Sequence, residues 1–264
     1  MLSRTNLNKV LAQESEMPML LQLTLVITLA FIHAYAAKLL RLKEIPRSAA
    51  LSFAGGVSVA YVFILIFPEL VEAQETISGH GLVAYIEHHA YLVALVGLTV
   101  FYGLERWVKR YRQPLPEPET HPESGQHHAP GIGVFWLHIV SFSLYNALVG
   151  YLLVYRESAT FELVLFVLAM GFHFLVNDHG LLKHHREAYL KRGRWLLSGA
   201  VLFGWAVGHL VEVSEAATSV LFAFLAGSII LNVLKEELPE ERQSRFLPFA
   251  LGVGIYAALL LVAS

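Results

Sequence analysis

Between Gly171 and Gly180 the chain reads Gly171-Phe172-His173-Phe174-Leu175-Val176-Asn177-Asp178-His179-Gly180, four polar side chains set in a run otherwise apolar enough to cross a bilayer. Asp178 is the only aspartate in the protein. An ionisable group at membrane depth costs about 2.5–3.5 kcal/mol on insertion scales, so such groups mark ion or proton pathways. At about 100° per residue on a helix, His173, Asn177, Gly180 and His184 form one stripe, and Phe174, Asp178, Leu181 and His185 form its neighbour. Two such stripes can enclose an ion between imidazole, amide and carboxylate. A second polar set, His138, Ser141 and Tyr145, shares a face at i, i+3, i+7 spacing, with Asn146 beside it. His209 and Glu212 are one turn apart, and His33 stands alone in its segment. A solitary imidazole of this kind reads as an interhelical hydrogen-bonding group rather than a ligand. The chain has no cysteine, so disulfides and thiolate sites are excluded and any metal must be held by nitrogen and oxygen.

These residues need helices that cross a membrane to position them. With 264 residues, 56% hydrophobic and 15% charged, the chain contains several apolar runs beyond the roughly 18 residues that separate a spanning helix from a core helix. The expected fold is an all-α integral membrane protein of eight transmembrane helices: Met19–Leu40, Ala49–Leu70, Ala90–Val108, Ile132–Tyr155, Phe161–Leu182, Trp195–Val213, Ala216–Leu234 and Phe246–Ala263. Residues 1–18 form a short extracytoplasmic tail without a signal-peptide cleavage pattern. Residues 19–264 form one transmembrane domain, interrupted by a loop over 109–131. That loop is rich in Pro, Glu, His, Gly and Ser, cannot bury enough apolar surface to fold, and is expected to be disordered. Its His121, His127 and His128 either collect metal weakly or are merely solvated. The loop after the fourth span is short, so the fourth and fifth spans are expected to be antiparallel neighbours.

Lys and Arg accumulate in cytoplasmic loops. Here 16 of the 19 fall in the loops after the first, third, fifth and seventh spans, leaving only Arg4, Lys9 and Arg156 on the other face. Both termini are therefore expected outside, in a multi-pass cell (inner) membrane. The outer face also carries ten glutamates, at 14, 16, 69, 72, 75, 87, 157, 162, 212 and 215. Either such a surface attracts cations, with a field screened over about 8 Å at physiological salt, or these are merely solvated loop charges with the cations placed inside for topology.

The second span contains Gly55-Gly56, eleven residues, then Pro68-Glu69; the seventh contains Ala226-Gly227, eleven residues, then Pro239-Glu240. The charge rule makes the two helices run in opposite directions, which predicts an inverted repeat of helices 1–3 and 6–8 around helices 4–5. A coincidental match, or glycines serving only close helix packing, is the alternative.

From about Ser48 to the C-terminus this arrangement resembles the ZIP metal-ion transporters, the zinc- and iron-regulated-transporter-like family. The likeness rests on eight spans with both termini outside, the Gly-Gly…Pro-Glu second helix, the histidine-bearing loop after the third span, and the seventh span Ala226-Gly227-Ser228-Ile229-Ile230-Leu231-Asn232. The family's metal site lies between the fourth and fifth helices. Its fifth-helix pattern His-Glu-x-Pro-His-Glu falls on residues 173–178, keeping His173 and substituting Asn177 and Asp178. Its fourth-helix pattern His-Asn-x-x-Asp-Gly falls on Ser141 through Asn146, which removes the strongest ligands and rules out a two-metal site. The resemblance implies a metal set of His173, Asn177, Asp178, His138 and Ser141, with Tyr145 as a weak oxygen donor. That set suits one ion, Zn2+ or alternatively Fe2+ or Mn2+.

The expected function is transmembrane transport of a divalent metal cation toward the cytoplasm. The expected partners are that ion and the lipid bilayer, with a homodimer left open and no nucleic acid. The chain is not expected to be an enzyme. No Walker-type phosphate loop occurs, so ATP is not expected as the driver. Two alternatives stand beside this reading. One is a relative that has lost transport and serves regulation or structure. The other is a metal-dependent intramembrane hydrolase, disfavoured because no span carries a His/His pair at i, i+4.

Overall fold

The computed structural model describes residues 19–39, 47–78, 89–110, 132–156, 160–237 and 245–263. The expected tail 1–18, the loop 109–131 with His121, His127 and His128 from residue 111 onward, and Pro239-Glu240 lie outside the described residues. Within them the chain is helical: α1 Met19–Leu39, α2 Arg47–Tyr61, α3 Phe67–Ser78, α4 His89–Arg110, α5 Ile132–Val154, α6 Thr160–Ala188, α7 Arg194–Leu210, α8 Glu215–Glu237 and α9 Phe246–Ala263. Two π-helical turns, Val62–Ile66 and Tyr189–Gly193, join α2 to α3 and α6 to α7.

Helices therefore occupy all eight expected segments, but five are long and apolar enough to cross a membrane: Met19–Leu39, Ala49–Ile77, Phe135–Val154, Thr160–Lys183 and Glu215–Lys235. The other three fall short for identifiable reasons. α4 ends in charge with Glu105, Arg106 and Lys109, α7 has only 17 residues, and the apolar run of α9 is a short one, Phe246–Val262. Apolar side chains such as Leu20, Ile27, Phe63, Val140 and Phe203 stand on the outside of the bundle. A continuous apolar exterior is compatible with a membrane protein, whose outer surface faces hydrocarbon.

The π turn in the second segment has a local cause. Pro68 has no N–H to offer the Ile64 carbonyl and its ring crowds that carbonyl, so the helix widens for one turn and the Phe67 N–H reaches the Val62 carbonyl instead. Several Ser and Thr hydroxyls inside the helices are satisfied locally. Thr24, Thr28, Ser58, Thr99 and Ser141 each donate to the carbonyl four residues earlier, which costs no unpaired donor in an apolar surround.

Three helix pairs are built on the same contact. In α2 and α9, a methyl added at Gly56 would land on the Phe249 carbonyl, and one at Gly252 on the Phe53 carbonyl. In α4 and α8, Gly97 meets the Phe224 carbonyl and Gly227 the Ala94 carbonyl. In α5 and α7, Gly150 meets the Val201 carbonyl and Gly204 the Ala147 carbonyl. Each time the carbonyl belongs to the residue three before the partner's glycine. With no Cβ on either side the backbones close to contact distance, the packing that apolar helices use where burial from water supplies no drive.

α1 packs on α6 and α7, where Ser198 of α7 donates to the Ala30 carbonyl at 2.8 Å. The main core runs through Leu29, Tyr61, Tyr145, Met170 and Phe174; a smaller cluster at the far end joins Phe135, Ile139, Leu181, Tyr189 and Leu197. α5 packs chiefly along α7, and α6 along α1 and α2. α5 and α6, expected as close neighbours, instead meet through long side chains, Tyr145 against His173 and Phe174.

Candidate functional site

The polar centre forms where α1, α5 and α6 converge. His33 is buried between them: its Nδ1 lies 2.9 Å from Asp178 Oδ2 and its Nε2 lies 3.0 Å from Asn146 Oδ1. The orientation of the Asn146 amide follows from its other end, since Nδ2 donates to the Phe142 carbonyl at 2.8 Å and a carbonyl can only accept. Asn146 Oδ1 is then an acceptor, and His33 Nε2–H must donate to it. The proton between His33 Nδ1 and Asp178 Oδ2 sits on one or the other. Either way the pair holds that proton and is neutral overall, the arrangement a low-dielectric interior favours.

α6 supplies two neighbouring faces. On one, Phe174 stacks on the His33 ring at 4.3 Å between centroids while Asp178, one turn on, takes its hydrogen bond. The backbone above is pinned as well, because the Tyr189 hydroxyl donates to the His33 carbonyl at 3.3 Å and also reaches toward Asp178. Asp178 is fully buried, and its second oxygen, Oδ1, accepts no hydrogen bond. On the other face, Asn177 Nδ2 donates to His173 Nε2 at 3.1 Å, which leaves the imidazole proton on Nδ1. The Tyr145 ring lies 5.9 Å from the His173 ring, and its buried hydroxyl has no hydrogen-bond partner.

Of the expected ligands, His173 and Asn177 are hydrogen-bonded to each other with Tyr145 opposite them, whereas Asp178 meets His33, and through it Asn146, on the neighbouring face. His138 and Ser141 are not part of this group. The His138 ring lies 5.8 Å from His185, toward the smaller core cluster, and Ser141 Oγ donates to the Leu137 carbonyl at 2.8 Å. His185 itself has non-helical torsions (φ −140, ψ 42), which bend α6 there and bring its ring against Phe135 and His138. The side chain of His184 lies outside the described residues. Among the described residues, no three His, Asp or Glu side chains gather as a metal-holding group. The donors form two neighbouring sets, Asp178, His33 and Asn146 on one face of α6 and His173, Asn177 and Tyr145 on the other.

His33 has the interhelical hydrogen-bonding role expected of a solitary imidazole, but its partners were not among the sequence's signals. A second feature also escapes the sequence. Arg156, just after α5, pairs with Glu69 of α3 through both guanidinium Nη groups, one at 3.1 Å, and lies 4.2 Å over the Phe166 ring. Its signal was present, since Arg156 is the one cation between the fourth and fifth spans. No family model matches the chain, and no match was found among curated proteins or solved structures.

Proposed function

We propose that this chain is a multi-pass membrane protein that carries a divalent metal cation, zinc or alternatively ferrous iron or manganese, through its helix bundle toward the cytoplasm. The observation that carries this reading is Asp178. It is the single aspartate of the protein, fully buried among apolar helices, with His33 against Oδ2, the Tyr189 hydroxyl nearby, Oδ1 accepting no hydrogen bond, and His173 and Asn177 on the neighbouring face of the same helix. A buried carboxylate with spare acceptor capacity has a use when a cation arrives, and little structural benefit otherwise.

In this account the ion enters at the Glu69 end, which is the outer end by the charge rule, and is coordinated by Asp178, His173 once Asn177 turns aside, and amide or hydroxyl oxygens. It leaves past His138 and His185. Three oxygens and one or two imidazoles make a borderline-hard site that suits Zn2+, Fe2+ or Mn2+. The glycine contacts support an inverted repeat. Gly56 and Gly227, equivalent by the Pro-Glu spacing, also make equivalent contacts, and so do their partners Gly252 and Gly97. Exchanging α2 for α8 and α9 for α4 maps one pair onto the other, as a repeat relating helices 1–3 to helices 6–8 requires.

A second reading has its own observation. His33 already engages Asp178, and Asn177 covers His173 Nε2, so the cluster also works as a finished structural network in a protein that does not transport. Metal content separates the two. The purified protein should hold near-stoichiometric divalent metal after equilibration with Zn2+ or Mn2+, and the His173→Ala/Asp178→Ala double variant should lose it. Equal content in a folded double variant favours the structural network.

A further inference from the structure

The Glu69–Arg156 pair has no part in the polar centre, yet it joins a two-nitrogen ionic contact to a cation–π contact. Both residues are largely buried, the guanidinium grips the carboxylate with two nitrogens, and it also covers the Phe166 face. Glu72 and Glu162 add negative charge around Glu69. Two buried donors are left without partners: the Tyr61 hydroxyl, at 1% exposure and close enough to feel the charges of Arg156 and Glu69, and Arg156 Nε. The negative charge of Glu69, Glu72 and Glu162 therefore favours a cation here, and the bound guanidinium leaves its own Nε–H unpaired.

The contact also joins three helical segments. Glu69 sits on α3, just beyond the π turn that interrupts the second segment, whereas Arg156 follows α5 and Phe166 belongs to α6. A π turn is a frequent mark of a functional helix. A buried ion pair contributes little net stability over an apolar substitute, and its best-attested use is to select between states.

We propose that Glu69 is a cation-admission site occupied at rest by the chain's own Arg156, and that this clamp keeps this end of the bundle closed until an incoming divalent cation competes for the carboxylate. The proposal rests on the cation-carrier reading for the identity of the competitor but not for the closure itself.

The test uses the absence of native cysteine. Val62→Cys, a near-isosteric buried reporter about 10 Å along the helix from Glu69, is reacted with a cationic methanethiosulfonate in detergent. Modification should be slow with the native pair and at least about tenfold faster with Arg156→Gln. Because that change strands a buried carboxylate, Glu69→Gln/Arg156→Gln is measured in parallel and should also be fast, while the swap Glu69→Arg/Arg156→Glu should return toward the slow rate. Mn2+ should accelerate the reporter with the native pair and not with the double Gln variant. Unchanged rates in the folded double Gln variant overturn the clamp whether or not the protein transports. A clamp that the variants open but Mn2+ does not touch overturns the admission site, and uptake through the polar centre is read separately.

Discussion

His33 and Asp178, 145 residues apart in sequence, share one proton across 2.9 Å at the centre of the helix bundle. His33 is held from a second side by Asn146, so one imidazole joins α1, α5 and α6. In the proposed carrier, a cation at Asp178 would meet this imidazole first as a competitor and then, once the carboxylate is released, as a neighbour with a nitrogen to offer. The same contact ties the three helices together and, under the proposed function, would set the cost of admitting an ion.

His33→Ala should destabilise the fold by about 3–5 kcal/mol, because it strands Asp178 in an apolar interior. Removing both groups in His33→Ala/Asp178→Ala should cost clearly less than the sum of the single changes, since no unpaired charge remains. Denaturation in detergent measures all three. Additive losses would mean that the two side chains are not coupled.

The glycines divide into two classes with opposite expectations. Gly56→Ala, Gly204→Ala and Gly227→Ala each push a methyl into a backbone carbonyl and should destabilise by about 1–3 kcal/mol. Gly103→Ala, Gly199→Ala and Gly254→Ala meet nothing nearby and should be neutral or slightly stabilising, given a helix propensity gain of up to about 1 kcal/mol. Thermal stability across the six variants checks this, and no separation between the classes would refute the close-packing role.

Orientation is tested with single cysteines at two exposed positions, Glu72→Cys and Lys191→Cys. An impermeant thiol reagent added to intact cells should label position 72 and spare position 191. Labelling of both from outside would break the charge-based topology.

Much of the fold was legible because hydropathy alone limits where a helix can cross a membrane. α1 and α9 follow the expected segments almost to the residue. The second segment was expected to stop at Leu70, yet the helix continues to Ser78, since Glu72, Gln74 and Glu75 extend it without adding apolar signal. His173 and Asp178 were legible as polar groups where polarity is costly. The partners of His33 were not, because pairing depends on which face of α1 turns toward α6, and an almost uniformly apolar helix carries no periodicity that shows its facing side. His138 shares a stripe with Tyr145, but seven residues amount to about 10 Å of helix. It therefore sits beside His185 instead of His173.

The most direct measurement is divalent-ion uptake into proteoliposomes loaded with a metal-sensitive dye, comparing the native chain with Asp178→Asn. That change keeps the shape of the side chain and removes the charge that balances the cation. The account predicts saturable uptake of Zn2+, Fe2+ or Mn2+ by the native chain and a loss of at least about tenfold in Asp178→Asn, with the fold retained. Equal uptake by the two proteins, or no uptake of any divalent ion by the native chain, would contradict it.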